Sequence, residues 1–221
     1  MRGKLIVIEG TDCSGKSTQF KLLCDALKKQ GVVFTHQTFP QYESDSSALV
    51  RMYLGGAFGE KPDEVNAYAA SSFYAVDRYA SYKTKWEERY RNGELILCDR
   101  YTTSNAIHQA SKLQGGGREA FLDWLFDYEY RLLGIPEPSA VLFIDMPPEY
   151  AAQLLKKREG KTEDIHERDL DYLARCYTNA SQIARSRGWL RIRCVENGVI
   201  RPIQEIHTEI LQAVCSVIRQ R

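Results

Sequence analysis

The residues best equipped for chemistry stand near the amino end, in Gly10-Thr11-Asp12-Cys13-Ser14-Gly15-Lys16-Ser17. This stretch fits G-x-x-x-x-G-K-[ST] at every fixed position. Glycine at 10 and 15 lets backbone N–H groups close around phosphate oxygens with no Cβ in the way. A helix opening at 16 adds partial positive charge at the same spot. Lys16 then reaches the β- and γ-phosphates of ATP and the Ser17 hydroxyl ligates Mg²⁺, while Gly10, Thr11, Asp12, Cys13, Ser14, Gly15 and Thr18 complete the cradle. Magnesium also needs a carboxylate from a neighbouring strand end. Asp99 and Asp145 both follow apolar runs. Asp99 is preferred, because Arg100 directly after it puts a guanidinium beside the phosphate path. Asp145, followed by Met146-Pro147-Pro148, reads as a turn or helix-cap residue.

Such a loop works only between a strand and a helix, and the flanking sequence provides both. Residues 4–9 read as a buried strand running into Gly10. Phe20, Leu23 and Leu27 recur at helical spacing until Gly31 stops the run. Strands follow at 32–38, 94–98, 140–144 and 190–195. Between them, 63–92 contains neither Gly nor Pro, and Val65, Ala69, Phe73, Val76 and Ala80 form a core stripe on one long helix. Further helices are expected from Pro147-Pro148 through Lys157, over 165–187, and from near Pro202. The solid apolar strands are those of a parallel sheet covered on both faces. The expected architecture is therefore a doubly wound α/β domain, a five-stranded parallel sheet flanked by helices on both faces, with 1–221 as a single domain. It carries the P-loop, and the resemblance given below makes it a P-loop kinase fold. Ligands then bind beyond the carboxyl ends of the strands.

Composition narrows the function classes. The chain has 221 residues, 30 basic against 29 acidic, for a formal charge of +1. That balance gives no electrostatic footing for nucleic acid as a partner. No apolar run is long enough to cross a bilayer, and no signal peptide is visible. Six scattered cysteines without a CxxC pair fit reduced thiols in a cytoplasm rather than a zinc site or a disulfide framework. A guanine-reading Asn-Lys-x-Asp is absent and no Asp-x-x-Gly switch follows the loop, so a GTPase is disfavoured. The size points to a small-molecule kinase.

Several motifs occur in order: Glu9-Gly10-Thr11-Asp12 with Gly15-Lys16-Ser17-Thr18-Gln19, Phe39-Pro40-Gln41-Tyr42, Tyr74-Ala75-Val76-Asp77-Arg78, Asp99-Arg100-Tyr101 with Ser104-Asn105, and a charged segment at 156–167. Together they resemble the thymidylate kinase family, which moves the γ-phosphate of ATP to dTMP. The resemblance implies that Asp12 contacts the 3′-hydroxyl of the acceptor sugar and that Phe39 and Tyr42 line the nucleotide pocket. It implies that Tyr74 stacks on thymine, with Phe73 as the alternative, while Arg78 and Asn105 bond the base, helped by Gln109. Arg100 holds the dTMP phosphate, Asp99 sits by the metal, and His108 stands where an aromatic residue guards the sugar 2′-position. The loop of residues 196–198 falls near adenine. Some members carry an arginine directly after the loop's acidic residue, where this chain has Cys13. The catalytic cation is then expected from a lid at about 156–167, Arg158 ahead of Lys161, with Asp164 and Glu167 facing the acceptor sugar. A homodimer is expected by the same analogy. The alternatives are a deoxynucleoside kinase, which needs a carboxylate base near the end of the second strand, and a non-catalytic nucleotide-binding protein.

Overall fold

Strands β1 (Leu5–Glu9), β2 (Phe34–Thr38), β3 (Leu95–Asp99), β4 (Ala140–Asp145) and β5 (Leu190–Arg193) form one parallel sheet, ordered β2-β3-β1-β4-β5. The computed structural model describes residues 2–156 and 164–219. Helices α1 (Lys16–Lys29), α2 (Ala48–Leu54), α3 (Ala67–Ser81), α4 (Glu87–Arg91), α5 (Thr102–His108), α6 (Gly115–Phe126), α7 (Pro148–Lys156), α8 (Leu170–Ser186) and α9 (Ile203–Arg219) complete the described elements, with a small antiparallel hairpin of β6 (Val195–Glu196) and β7 (Val199–Ile200).

The burial of β1 explains its unbroken run of aliphatics. Ile6 and Ile8 belong to a core cluster with Phe20, Leu23 and Leu27 of α1 and Ile206, Ile210 and Val214 of α9. Leu5 and Val7 fall in the opposite cluster, with Trp86, Tyr101 and Ile135. Alternate residues thus enter two cores, and a strand buried on both faces has no polar position to spare. The chain runs from β1 to one edge of the sheet, returns through β3, and then continues to the other side at β4. The loop after β1 therefore sits where the strand order reverses, the place at which such sheets bind ligands.

The structure corrects several boundaries. The long helix expected over 63–92 is broken. α3 begins at Ala67, capped by the Asn66 side chain, which accepts from the Ala69 N–H, and a π-helical turn at Tyr82–Trp86 separates it from α4. The inward face of α3 carries Ala67, Ala70, Ser71, Ala75 and Arg78, whereas Val76 from the expected stripe is 49% exposed. Small residues and a paired arginine fill that face, and a hydrophobicity pattern does not score either. The helix expected over 165–187 begins only at Leu170, because the Asp169 side chain caps it by accepting from the Tyr172 N–H. The strand expected over 190–195 stops at Arg193. Val195 instead opens the hairpin, whose turn uses Asn197 and Gly198 at φ 50 and 76. The second strand is shorter than 32–38, with Val33 exposed.

Candidate active site

The loop from Gly10 to Ser17 links β1 to α1 as its spacing requires. A Cβ on Gly10 would stand 2.5 Å from Ser14 Oγ and 3.3 Å from the Ile144 carbonyl oxygen, so only glycine fits. Gly15 takes φ 82 immediately before α1, and Cys13 sits at φ 57. Lys16 is buried and ion-paired with Asp99 at the end of β3. Burial and the nearby Arg100 lower the lysine's pKa, against the pull of Asp99. Ser17, Thr18 and Asp99 line the same open cleft, together with Phe39 and Tyr42. The hydroxyl of Ser17 and the carboxylate of Asp99 are oxygen donors of the kind Mg²⁺ takes.

A second cavity adjoins this cleft, and the two share Asp12, Pro40, Tyr42, Arg100 and Asp164. Arg100 is the pivot. It takes φ 67, pairs with Asp12, donates to the Gly10 carbonyl at 3.4 Å and approaches His108 Nε2 at 3.2 Å. Glu9 supports that turn from below. Its buried carboxylate accepts from the Tyr101 N–H (3.1 Å), Thr103 Oγ1 (2.6 Å) and Ser104 Oγ (2.8 Å). Burial raises the Glu9 pKa. Burial alone would raise that of Asp12 too, but its neighbours, the Arg100 guanidinium foremost, outweigh it and hold Asp12 at about 2. Asp12 is therefore a fixed anion.

Beyond Arg100 the second cavity is lined by Leu54, Tyr74, Ser104, Asn105, His108, Gln109 and His166. Asn105 Nδ2 donates to the Ser71 carbonyl at 3.2 Å, which turns Oδ1 to the remaining space. Gln109 is fully buried, yet neither atom of its amide has a hydrogen-bond partner. Unpaired buried amides are costly, and one on a cavity wall marks a ligand contact. Burial drives His108 down to about 4, so its imidazole is neutral at pH 7. Asp164 accepts from the His166 and Glu167 N–H groups at 2.9 and 3.0 Å. Burial, reinforced by Asp12 and Glu167, pushes its carboxyl up to about 6. Asp12, His108 and His166 bring potential metal-ligating atoms within 4.8 Å of one another. Arg100 already supplies the positive charge there, which disfavours a cation.

A phosphate cleft joined through one arginine to a cavity lined by Tyr74, Asn105, Gln109 and two histidines suits phosphoryl transfer between two nucleotides. Comparison with known proteins decides the family. The family model described as thymidylate kinase matches residues 8–210. The chain belongs to the thymidylate kinase family. A thymidylate kinase of Synechococcus sp. is 30% identical over 97% of this chain and 96% of its own length. One from Plasmodium falciparum is 26% identical over 98% and 91%. A solved thymidylate kinase structure from Candida albicans, described as revealing the origin of broad substrate specificity, superposes with a TM-score of 0.71 at 21% identity. It covers 97% of this chain and 92% of that one, which speaks for the fold. Transfer of a phosphoryl group from ATP to dTMP is the family's reaction, and it is this chain's.

Most of the residues singled out in the sequence converge. Lys16, Ser17, Asp99, Arg100, Asp12, Phe39 and Tyr42 meet at the cleft, and Tyr74, Asn105, His108, Gln109 and Asp164 line the cavity. Glu167 borders the cleft. Tyr74 rather than Phe73 faces the cavity; the Phe73 ring lies against Phe58, centroids 5.5 Å apart. Arg78 is the departure. It is 1% exposed and clasped by Glu129, Nε to Oε2 at 2.7 Å and Nη2 to Oε1 at 2.6 Å, away from the cavity lining. Thr102 Oγ1 also donates to Glu129, at 2.8 Å. Asp145 is neither a helix cap nor a cleft residue. Its carboxylate takes Tyr177 Oη at 3.0 Å and Arg191 Nη2 at 2.6 Å, tying α8 to β5. Arg158 and Lys161 lie outside the described residues. Sequence reasoning gave no role to Glu9, Tyr53, Lys112 or His166. Glu9 carried a signal, an acid ending an apolar strand ahead of the Thr102-Thr103-Ser104 hydroxyls. Tyr53 and Lys112 carried none.

Proposed function

We propose that this chain phosphorylates dTMP with Arg100 as the hinge between donor and acceptor. The observation that carries the reading is Arg100 itself, poised on Asp12 at the wall shared by the two cavities. An arriving dTMP phosphate takes one edge of the guanidinium, whose planar fork serves two acceptors at once. Lys16 moves from Asp99 to the β- and γ-phosphates of ATP. The freed Asp99 and Ser17 are the residues that would hold Mg²⁺, which would supply charge neutralisation on the phosphate oxygens. Because the acceptor phosphate is already ionised, no general base is needed, only alignment and charge neutralisation. The end of β2 fits this, offering Thr38, Phe39 and Pro40 where a base for a neutral hydroxyl would stand.

In the cavity, Tyr74 stacks on thymine and Asn105 Oδ1 accepts the base N3–H. The Gln109 amide donates to a base carbonyl. Asp12 accepts from the 3′-hydroxyl, and His108 flanks the 2′-position. Arg78 acts through Glu129, holding α3 against the 127–132 segment, rather than on the base. A lid at about 156–167 brings Arg158, or Lys161, to the γ-phosphate as the cation that Cys13 does not supply. The whole chain works as one domain with that lid. We also propose a homodimer through the outer faces of α2 and α3, where Leu49, Met52 and Val76 are 43–49% exposed. Six free thiols support a reducing, cytoplasmic setting.

The test is a panel of acceptors assayed with ATP and Mg²⁺. dTMP should be the best substrate, and dUMP should trail by about 1–3 kcal/mol in kcat/KM, the worth of one methyl slot. dCMP should be poorer still, because its N3 has no proton for Asn105. Preferred phosphorylation of thymidine would favour the nucleoside kinase instead.

A further inference from the structure

A polar chain crosses the wall of the acceptor cavity, and neither the phosphate loop nor the base-reading residues use it. Lys112, in the turn after α5, donates from Nζ to Tyr53 Oη at 3.0 Å and to the Val65 carbonyl at 2.9 Å. Its ammonium lies 5.2 Å from the centre of the Tyr53 ring. Tyr53, fully buried on α2, places Oη 2.9 Å from His166 Nε2. The His166 ring stacks on that of His108, 5.8 Å between centroids and 12° between planes. It also lines the cavity alongside Asp12 and Asp164. Tyr53 of α2, itself held by Lys112, and His108 of α5 thus converge on one imidazole.

The chain has a direction. An ammonium has hydrogens to give and no lone pair, so towards Lys112 the Tyr53 oxygen accepts. The Gln109 amide has no partner in hydrogen-bond geometry, and its influence on the phenol is that of a donor, so it does not take the phenolic hydrogen. That hydrogen goes to His166 Nε2, which is therefore the unprotonated nitrogen. Burial holds the imidazole well below its usual range, so the ring is neutral. A neutral ring that accepts at Nε2 carries its proton on Nδ1.

We propose that Lys112 and Tyr53 are positioning residues that lock His166 as the Nδ1–H tautomer, making it a specificity-determining donor to the 3′-oxygen of the acceptor sugar. The second half rests on the dTMP reading above. A hydroxyl both donates and accepts. Once the 3′-hydroxyl has given its hydrogen to the fixed anion Asp12, its lone pairs need a donor. His166 stands within 4.8 Å of that carboxylate. The same tautomer argues against a metal here, since a protonated Nδ1 offers no lone pair.

Two measurements test this, and the first does not depend on the reaction. Nitrogen-15 NMR of the imidazoles in the full-length protein at pH 7 should show His166 protonated at Nδ1, and Lys112→Met should produce a mixture of tautomers. A His166 protonated at Nε2 in the unmodified protein overturns the proposal. The second compares dTMP with its 3′-deoxy analogue. The unmodified enzyme should prefer dTMP by about tenfold or more in kcat/KM. Tyr53→Phe and Lys112→Met should each shrink that preference by about threefold or more, through KM for dTMP rather than kcat, the Asp12 contact to the 3′-hydroxyl remaining. A preference unchanged in both variants overturns the 3′-oxygen assignment. Absence of any turnover of dTMP by the unmodified enzyme would instead strike the functional reading and leave the tautomer result standing.

Discussion

The phosphate loop and the acceptor cavity are built on opposite principles. The loop is short, continuous and made largely of backbone; its glycines stand at φ values and contacts that other residues do not tolerate. The acceptor cavity is assembled from side chains of α2, α3 and α5, the turn after β3 and the 164–167 segment, and its pairs Tyr53–His166 and Asn105–Ser71 join residues far apart in sequence. A backbone site is written in local spacing. A side-chain site is written in pairs, and a pair has no spacing to read.

The sharpest way to break this contrast is at Lys16. Lys16→Ala should lower kcat by about three orders of magnitude or more, because the charge it supplies is needed where charge develops. Because the substitution also strands the buried Asp99 carboxylate, the midpoint of thermal unfolding should fall as well, and circular dichroism at the assay temperature should still report a folded chain. Near-normal turnover would remove the donor side of the account.

Arg78 comes next and separates structure from recognition. Removing one partner of a buried ion pair costs about 3–5 kcal/mol, so Arg78→Met should lower Tm by about 10 °C in a chain of this size. Pairing it with Glu129→Leu should recover much of the loss, because the stranded carboxylate is then gone. A stable Arg78→Met enzyme that merely loses its preference for thymine would return Arg78 to the base.

Here the limits of sequence reading have a physical cause. The five parallel strands were legible because burial on two faces leaves solid apolar runs, as in β1 and β4. The loop was legible because phosphate binding by backbone demands glycine at fixed offsets. α3 departs from the expected stripe because Ala70, Ser71, Ala75 and Arg78 turn inward while Val76 points out. Arg78 matched its motif, but its partner Glu129 is 51 residues away and only the fold brings them together. Tyr53 and Lys112 likewise look like ordinary helix and turn residues until His166 is seen between them and the cavity.

Smaller effects sharpen the acceptor side. Asn105→Ala should raise KM for dTMP by about 10- to 100-fold, the cost of an unmet buried hydrogen bond being about 1–3 kcal/mol, and should narrow the gap between dTMP and dCMP. An unchanged gap would take Asn105 out of base reading.

The smallest effect is one of pH. Burial raises the Asp164 carboxyl to about 6 from its ordinary 3.8. The folded state thus holds this proton more tightly than the unfolded chain. Its contribution to stability is fully present below about 3.8 and is lost as pH rises through about 6. Asp164→Asn keeps an oxygen for the His166 and Glu167 N–H groups but cannot ionise. Calorimetry should find it equal to the unmodified protein near pH 3.5 and a few degrees more stable at pH 8. Asp12 has the opposite sign: held at about 2, it stabilises above its ordinary pKa and loses that contribution as pH falls through 2. A Tm difference independent of pH would show that Asp164 is not desolvated.

The most direct test of how the two regions meet is a crystal structure with dTMP and a non-hydrolysable ATP analogue bound. The account predicts that Arg100 bridges Asp12 and the dTMP phosphate, Lys16 has left Asp99 for the triphosphate, thymine lies on Tyr74 with N3–H on Asn105 Oδ1, and Arg78 stays clasped by Glu129. A structure in which Arg78 abandons Glu129 for the base, or in which Arg100 touches neither nucleotide, would contradict it.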